Sequence, residues 1–378
     1  MSKPFTYTTR AQEYTARFPV LTYVGTQINF WIIANILVSL IIHFHSLIIS
    51  EAIGVQLSGG LGSIVMVALL FGILQGATLG LTSYFIDKQF FRKQSLGRLI
   101  LLKALTSLIT LILILFVMRF VLFDSLIAPT LKITMSHQSW EYLFYLLLIY
   151  YSFMTLLISF INQVNKKYGP GVLVPLLLGH YRNPKEEERI FMFMDLKSST
   201  TTAEKLGHLK YSSFIRDCFM DINQVLLPFR AQVYQYVGDE IVVTWMENEG
   251  LKDNFCIHFY FACQKQFRDR AEYYRTNYGL LPSFKAGVHS GKVTAVEIGE
   301  VKRDIAYHGD TLNTAARIQG VCNEYHKSFI VSEYLFNKLG ENQNIKSESL
   351  GAILLKGKAE KVGLVSMEWN RIGESNAS

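Results

Sequence analysis

This 378-residue chain has little cysteine, little proline and little charge. Its four cysteines, Cys218, Cys256, Cys263 and Cys322, all lie in the second half, and no two form a CxxC pair. That argues against a disulfide framework or a cysteine-based zinc site, and it predicts buried neutral thiols in a reducing compartment. Only eight residues are proline and only 18% are charged. The charge deficit is local. Up to about Ile161 the sequence is dominated by long apolar runs, and from about Lys185 it reads as a soluble domain of mixed charge. Much of the basic excess behind the net charge of +7 sits beside the apolar runs. It therefore points to membrane orientation, and no nucleic-acid partner is expected.

A membrane span needs about 20 mostly apolar residues. Four runs qualify, near Thr26 to Ile49, Leu61 to Phe85, Leu99 to Phe123 and Tyr142 to Ile161. The first is too long and begins too late for a cleavable signal peptide, and it has no small-residue cleavage site. The N-terminal flank carries Lys3, Arg10 and Arg17. The second loop carries Lys88, Arg92, Lys93 and Arg98, and Lys166 with Lys167 follow the fourth run. The first loop has no Lys or Arg, and the third has only Lys132. This places both termini and the second half of the chain in the cytoplasm, with the spans in the cell (inner) membrane and lipid as a partner. The implied plan is a cytoplasmic segment over 1–25, a four-helix transmembrane domain over 26–161, a junction over 162–186, a catalytic domain over 187–370 and a tail over 371–378.

Within the second run, Gly72, Gly76 and Gly80 form a GxxxGxxxG row that lets another helix approach closely, within the bundle or between protomers. Gln27, Asn29, Asn35, His43 and His45 in the first run predict interhelical hydrogen bonds rather than a ligand site. There is no chain of buried acids, which disfavours a transporter. Pro170, Pro175 and Pro184, with Gly169, Gly171 and Gly179, prevent one continuous helix across the junction.

The second half alternates strand and amphipathic helix. A strand over Arg189–Met194 ends at Asp195 and is followed by Lys197-Ser198-Ser199-Thr200-Thr201 and a helix near Thr202. A second helix runs from about Tyr211 to Leu227. The stretch Gln232 to Trp245 reads as a hairpin turning at Gly238-Asp239. A long helix is predicted over Lys252–Asn277, then strands at Ser283–His289 and Lys292–Ile298, a helix over Thr311–Glu324, and short strands near Phe329 and Leu354. An acid at a strand end before a Ser/Thr-rich turn offers a metal ligand beside amides suited to phosphate. A second acid, Asp239, follows 44 residues later on a hairpin tip. The pair can hold Mg²⁺ or Mn²⁺, with substrate phosphates completing the shell. In the run from His308 to Arg317, four-residue spacing puts Asn313 and Arg317 on one helix face. An amide and a guanidinium there suit a ribose and a phosphoryl group.

Three motifs in order and spacing make this half resemble the class III adenylyl/guanylyl cyclase family over about Glu187 to Ser366. They are Phe193-Met194-Asp195-Leu196-Lys197-Ser198-Ser199-Thr200, Tyr236-Val237-Gly238-Asp239-Glu240 and the run from Gly309 to Arg317. Leu355-Lys356-Gly357-Lys358 resembles a fourth. The resemblance implies an α+β domain, with a ferredoxin-like antiparallel sheet covered by helices. It also implies cyclisation of a nucleoside triphosphate to the 3′,5′-cyclic monophosphate and pyrophosphate. Asp195 and Asp239, with the Leu196 carbonyl, would bind two divalent metals (Mg²⁺ or Mn²⁺) per site. Ser198, Ser199 and Thr200 would lie against phosphate, Asn313 would position the ribose and Arg317 would stabilise α-phosphate charge. Lys356 or Lys358 would contact the triphosphate tail. Sites of this family lie at a homodimer interface, with Asn313 and Arg317 serving the partner's metal pair. The positions that usually read the base hold Gln235 and Ala306, which match neither the adenylyl nor the guanylyl pattern. ATP is the first expectation; GTP or a pyrimidine triphosphate is the alternative. A diguanylate cyclase is suggested by the loop Val237 to Ile241, but the Asn313/Arg317 helix argues against it. The remaining alternative is a membrane receptor or scaffold with an inactive cyclase domain.

Overall fold

The computed structural model describes residues 18–54, 61–90, 96–117, 119–120, 136–168, 178–179, 181–300 and 303–370. Expectations about residues 1–17, the end of the third apolar run, residues 169–177 of the junction and the tail at 371–378 fall outside these. The chain divides into two compact units, one of residues 17–170 and the other chiefly of residues 171–378.

The first unit contains helices α1 (Pro19–Ile53), α2 (Leu61–Phe90), α3 (Leu96–Phe116) and α4 (His137–Tyr168). Among the described residues, three apolar stretches, Val20–Ile53, Leu61–Ile86 and His137–Asn165, are long and apolar enough to cross a membrane. The apolar part of α3, Leu101–Phe116, is shorter, and the predicted third span continues past it into residues outside the description. The unit is inverted relative to a water-soluble bundle. Leu21, Ile48, Ile149, Leu156 and Phe160 are exposed, whereas Gln27, Asn35 and Gln75 are buried. The buried amides satisfy one another, as groups cut off from water must. Gln27 Nε2 donates to Asn162 Oδ1 at 3.0 Å and Asn35 Nδ2 to Gln75 Oε1 at 3.1 Å. Tyr151 Oη donates to Asn35 Oδ1 at 2.7 Å. The glycine row packs within this bundle. A Cβ on Gly72 would lie 2.5 Å from Ile32 Cα, and one on Gly76 would lie 2.4 Å from Ile28 Cα.

The second unit is built on an eight-stranded sheet of order β2-β3-β1-β4-β6-β8-β7, with β5 paired to β4. The strands are β1 (Lys185–Leu196), β2 (Gln232–Val237), β3 (Glu240–Met246), β4 (Phe284–Ile298), β5 (Asp304–His308), β6 (Phe329–Ser332), β7 (Ile345–Ile353) and β8 (Val362–Trp369). The sheet is antiparallel except for the parallel β4–β6 pair. The main helices are α5 (Ser199–Leu206), α6 (His208–Leu226), α7 (Phe255–Asp269), α8 (Ala271–Tyr278) and α9 (Asp310–Gly320). Alternation along β1 decides what each face does. Ile190, Met192, Met194 and Leu196 enter the main core with Phe214, Ile222, Trp245, Phe259 and Tyr260. Full burial of each large apolar side chain stabilises by about 1.5–3 kcal/mol. Phe191 and Phe193 face the other way, toward Ala315 and Leu312 of α9. Asp195 continues that second face.

Two differences from the expected elements bear on the core and the site. The single helix expected over Lys252–Asn277 breaks at Arg270 into α7 and α8. Asp221, fully buried on α6, binds the Arg270 guanidinium and accepts from Tyr274 Oη at 2.5 Å. Asp217, one turn earlier, accepts from Tyr273 Oη and Tyr278 Oη, each at 2.6 Å. These bonds hold α8 in place. The strands expected on either side of Gly291 are one continuous β4. Gly291 there makes room for Thr311, whose Oγ1 lies 2.8 Å from where a Cβ would stand.

Candidate active site

The sheet register places the first acid among charged neighbours. Asp195 lies opposite Glu240 on β3 and opposite Lys285 on β4. Directly opposed residues share a face, with Cβ atoms about 5 Å apart. Asp239 follows Gly238 in the β2–β3 loop, where Gly238 takes a φ of 62°, which glycine reaches without steric cost. Asp239 Oδ2 is buried with no hydrogen-bond partner. Lys285 Nζ stands 3.2 Å from Asp195 Oδ2, and Gln319 Nε2 donates to the same oxygen at 3.1 Å. Burial, chiefly, and then the Asp239 charge raise the Asp195 carboxyl above its ordinary value, against the pull of Lys285. Glu240 is pushed up to about 7 by burial and by repulsion from Asp195 and Asp239. Burial, chiefly, and then the charges of Asp239 and Asp195 raise the Tyr211 phenol on α6 above its ordinary value. Asp195, Asp239 and Glu240 thus repel one another, and Lys285 is paired with Asp195.

The remaining predicted residues fall into two places. Leu196 is 3% exposed, so its side chain belongs to the core and only its main chain is available to a ligand. Ser198, in left-handed backbone, precedes α5, which begins with Ser199 and Thr200. Asn313 and Arg317 lie on α9, where Asn313 is exposed and Arg317 half-buried. At 3.6 residues per turn the two are about 40° apart, whereas Gln319 is about 200° round from Arg317. The helix thus gives one side to its own chain's Asp195 and another to Asn313 and Arg317. The turn containing Lys356 and Lys358 lies on the Arg317 side. A Cβ on Gly357 would stand 3.3 Å from Arg317 Nη2, and Lys358 pairs with Asp310 at the start of α9. That pairing is the main influence holding the Asp310 carboxyl below its usual range. Lys356 is exposed.

Gln235 is exposed on β2 at a register irregularity, and Ala306 is buried on β5. Their chain neighbours Tyr234 and Tyr307 meet edge-to-face at 5.1 Å, with Phe191 against both and the Arg189 guanidinium 4.5 Å from the Tyr307 ring. Sequence patterns did not single out Lys285 or Gln319, and they gave Glu240 no role although it closes the hairpin motif. Only the strand pairing and the packing of α9 bring them to Asp195.

The acids have the character of a divalent-cation site. Among the described residues no cluster of three or more His, Cys, Asp or Glu side chains forms a metal cage. Two carboxylates with a bare buried oxygen, completed by substrate phosphates, match the way Mg²⁺ is usually held.

Residues 182–367 match the family described as adenylate and guanylate cyclase catalytic domain. Adenylate cyclase 2 of Rhizobium meliloti is 34% identical over 210 residues, covering 56% of this chain and 58% of that protein. Adenylate cyclase of Anabaena cylindrica is 22% identical over 183 residues, covering 47% of this chain and 36% of that protein. The chain thus spans well under two thirds of either relative. A bacterial light-regulated adenylyl cyclase structure aligns over 57% of this chain and 64% of its own, with 17% identity and a TM-score of 0.49.

Proposed function

We propose that the chain, whose residues 182–367 match the adenylate and guanylate cyclase catalytic domain family, is a membrane-bound nucleotidyl cyclase. It converts a nucleoside triphosphate, ATP first, to the 3′,5′-cyclic monophosphate and pyrophosphate. The observation that carries this is the bare, buried Asp239 oxygen beside Asp195 and Glu240. Asp195 and Asp239 would hold two Mg²⁺ or Mn²⁺ ions, which when bound supply Lewis acidity at the ribose 3′-hydroxyl and the phosphates. The chain's own residues bind and orient. Asn313 holds the ribose, and Arg317 faces the charge that develops on the α-phosphate as the 3′-oxygen attacks in line. Lys356 and Lys358 meet the polyphosphate tail, and the amides at the start of α5 add donors.

Asp195 and the Asn313/Arg317 pair lie on different sides of α9, which supports a homodimeric site with metal carboxylates from one protomer and Asn313 with Arg317 from the other. The apolar exterior of the first unit and the Lys/Arg distribution support an inner-membrane location with the catalytic domain in the cytoplasm. ATP is favoured by the relatives' names, since Gln235 and Ala306 follow no usual base-reading pattern. The test is product analysis of the purified full chain with Mn²⁺ and ATP, GTP, CTP or UTP side by side. A cyclic mononucleotide from at least one is expected, and the preferred triphosphate names the base. No cyclic product from any of the four, or an Asp239→Ala chain with wild-type turnover, refutes the proposal.

A further inference from the structure

Gln319 stands where two parts of the site meet. Its side chain is 7% exposed and its amide is bound to Asp195 Oδ2 at 3.1 Å. Its backbone is pressed to the sheet, because a Cβ on Gly287 of β4 would lie 2.1 Å from Gln319 N and 2.7 Å from Ala315 O. Two residues earlier on the same helix, Arg317 faces away toward the turn at Gly357. Helix α9 is 11 residues long, about 16 Å, and too short to bend between those positions. Its other end is fixed by Asp310 to Lys358 and by Thr311 Oγ1 donating to Lys292 O at 2.8 Å. One short rigid element, packed on Gly287, therefore joins the Asp195 carboxylate to Arg317.

We propose that Gln319 is a positioning residue that couples the two active sites of the dimer. It ties the metal carboxylate of one site to the helix presenting Asn313 and Arg317 to the other. This rests on the shared-site dimer proposed above. When Asp195 takes up a cation, Gln319 carries the change through α9 to the arginine of the opposite site.

The experiment uses full-length chains carrying different tags, co-expressed and purified as mixed dimers. One chain bears Arg317→Ala and the other Asp239→Ala. Such a dimer has one live site, built from the acids of the first chain and the Asn313/Arg317 helix of the second. Gln319→Met, which keeps length and removes the hydrogen bond, is then placed in one chain at a time. In the Asp239→Ala chain, Gln319 touches only the dead site's Asp195. There the substitution is expected to lower kcat at the live site about tenfold, the scale of a small misplacement of a positioned group. The Mn²⁺ affinity of the live site, read by electron paramagnetic resonance without nucleotide, is expected to stay unchanged. In the Arg317→Ala chain it is expected to shift that affinity instead. Unchanged kcat with the substitution in the Asp239→Ala chain overturns the coupling. Equal effects from both placements also overturn it, since general destabilisation has no preferred chain. If the mixed dimer is inactive before Gln319 is touched, the shared-site dimer fails and the coupling falls with it.

Discussion

Gly287→Ala tests whether the contact between β4 and α9 sets the site. The added methyl would stand 2.1 Å from Gln319 N, 2.6 Å from Gln319 Cα and 2.7 Å from Ala315 O. All three are backbone atoms, so no side-chain rotation relieves the clash. Restoring ordinary van der Waals separation requires α9 to recede by about 1.3 Å. Overpacking of this kind costs about 1–3 kcal/mol, which lowers the melting temperature of a domain this size by roughly 2–12 °C. The displaced helix carries Gln319 away from Asp195 and takes Asn313 and Arg317 with it. A misplacement near 1 Å at a reacting centre costs about 100-fold in rate. Turnover of the full chain with Mn²⁺ and its preferred triphosphate, alongside thermal unfolding, measures both effects. Gly320→Ala is the control, since a Cβ there meets nothing within 4 Å. It is expected to be neutral or to gain a few tenths of a kcal/mol in helix propensity. Wild-type kcat and melting temperature in Gly287→Ala, or equal damage from both variants, would refute the packing argument.

Asp221→Asn leaves Arg270 and Tyr274 without their fully buried carboxylate and is expected to cost about 3 kcal/mol, read by urea denaturation. Gly76→Leu forces α1 and α2 apart at Ile28 and is expected to lower the thermal stability of the detergent-solubilised chain, whereas Gly62→Ala, with open space around it, does not. Glu240 gives a pH prediction for the metal-free protein. Its folded carboxyl keeps a proton up to about 7, whereas in the unfolded chain it ionises near its ordinary 4.5. Between those values the folded state binds more protons, so stability falls as pH rises. Glu240→Gln removes that fall and is expected to be about 1–2 kcal/mol more stable than wild type at pH 8, after allowance for solvent screening. A pH series of unfolding curves from 5 to 8 measures it.

Much of the candidate site's placement was legible because the elements that carry its residues are marked by short-range patterns. A strand ending in an acid, a Gly-Asp hairpin tip and an Asn/Arg pair at helical spacing each occupy a few consecutive residues. Asp195, Asp239, Asn313 and Arg317 all sit on the elements their patterns predicted. The strand at Arg189 starts earlier than expected because Lys185 to Glu188 also pair with β4. What was missed depends on partners remote in sequence. The break at Arg270 is imposed by Asp217 and Asp221, some 50 residues away. The gap left between the strands expected at Ser283–His289 and Lys292–Ile298 is itself strand, where Gly291 permits close approach to Thr311. Lys285 and Gln319 occupy ordinary strand and helix positions, and only pairing and packing give them a neighbour that matters.

The glycine row of α2 has a mechanical consequence. Where two helices touch through backbone, no layer of side chains remains to slip or repack between them. Turning α2 about its own axis would swing the residues beside Gly72 and Gly76 into Ile28 and Ile32, so that motion is blocked. Sliding is resisted too, since Gly72 sits over Ile32 and Gly76 over Ile28, and a shift of one residue replaces each glycine with a bulkier neighbour. The first two helices of the apolar half are therefore locked against both turning and sliding where they meet at these glycines.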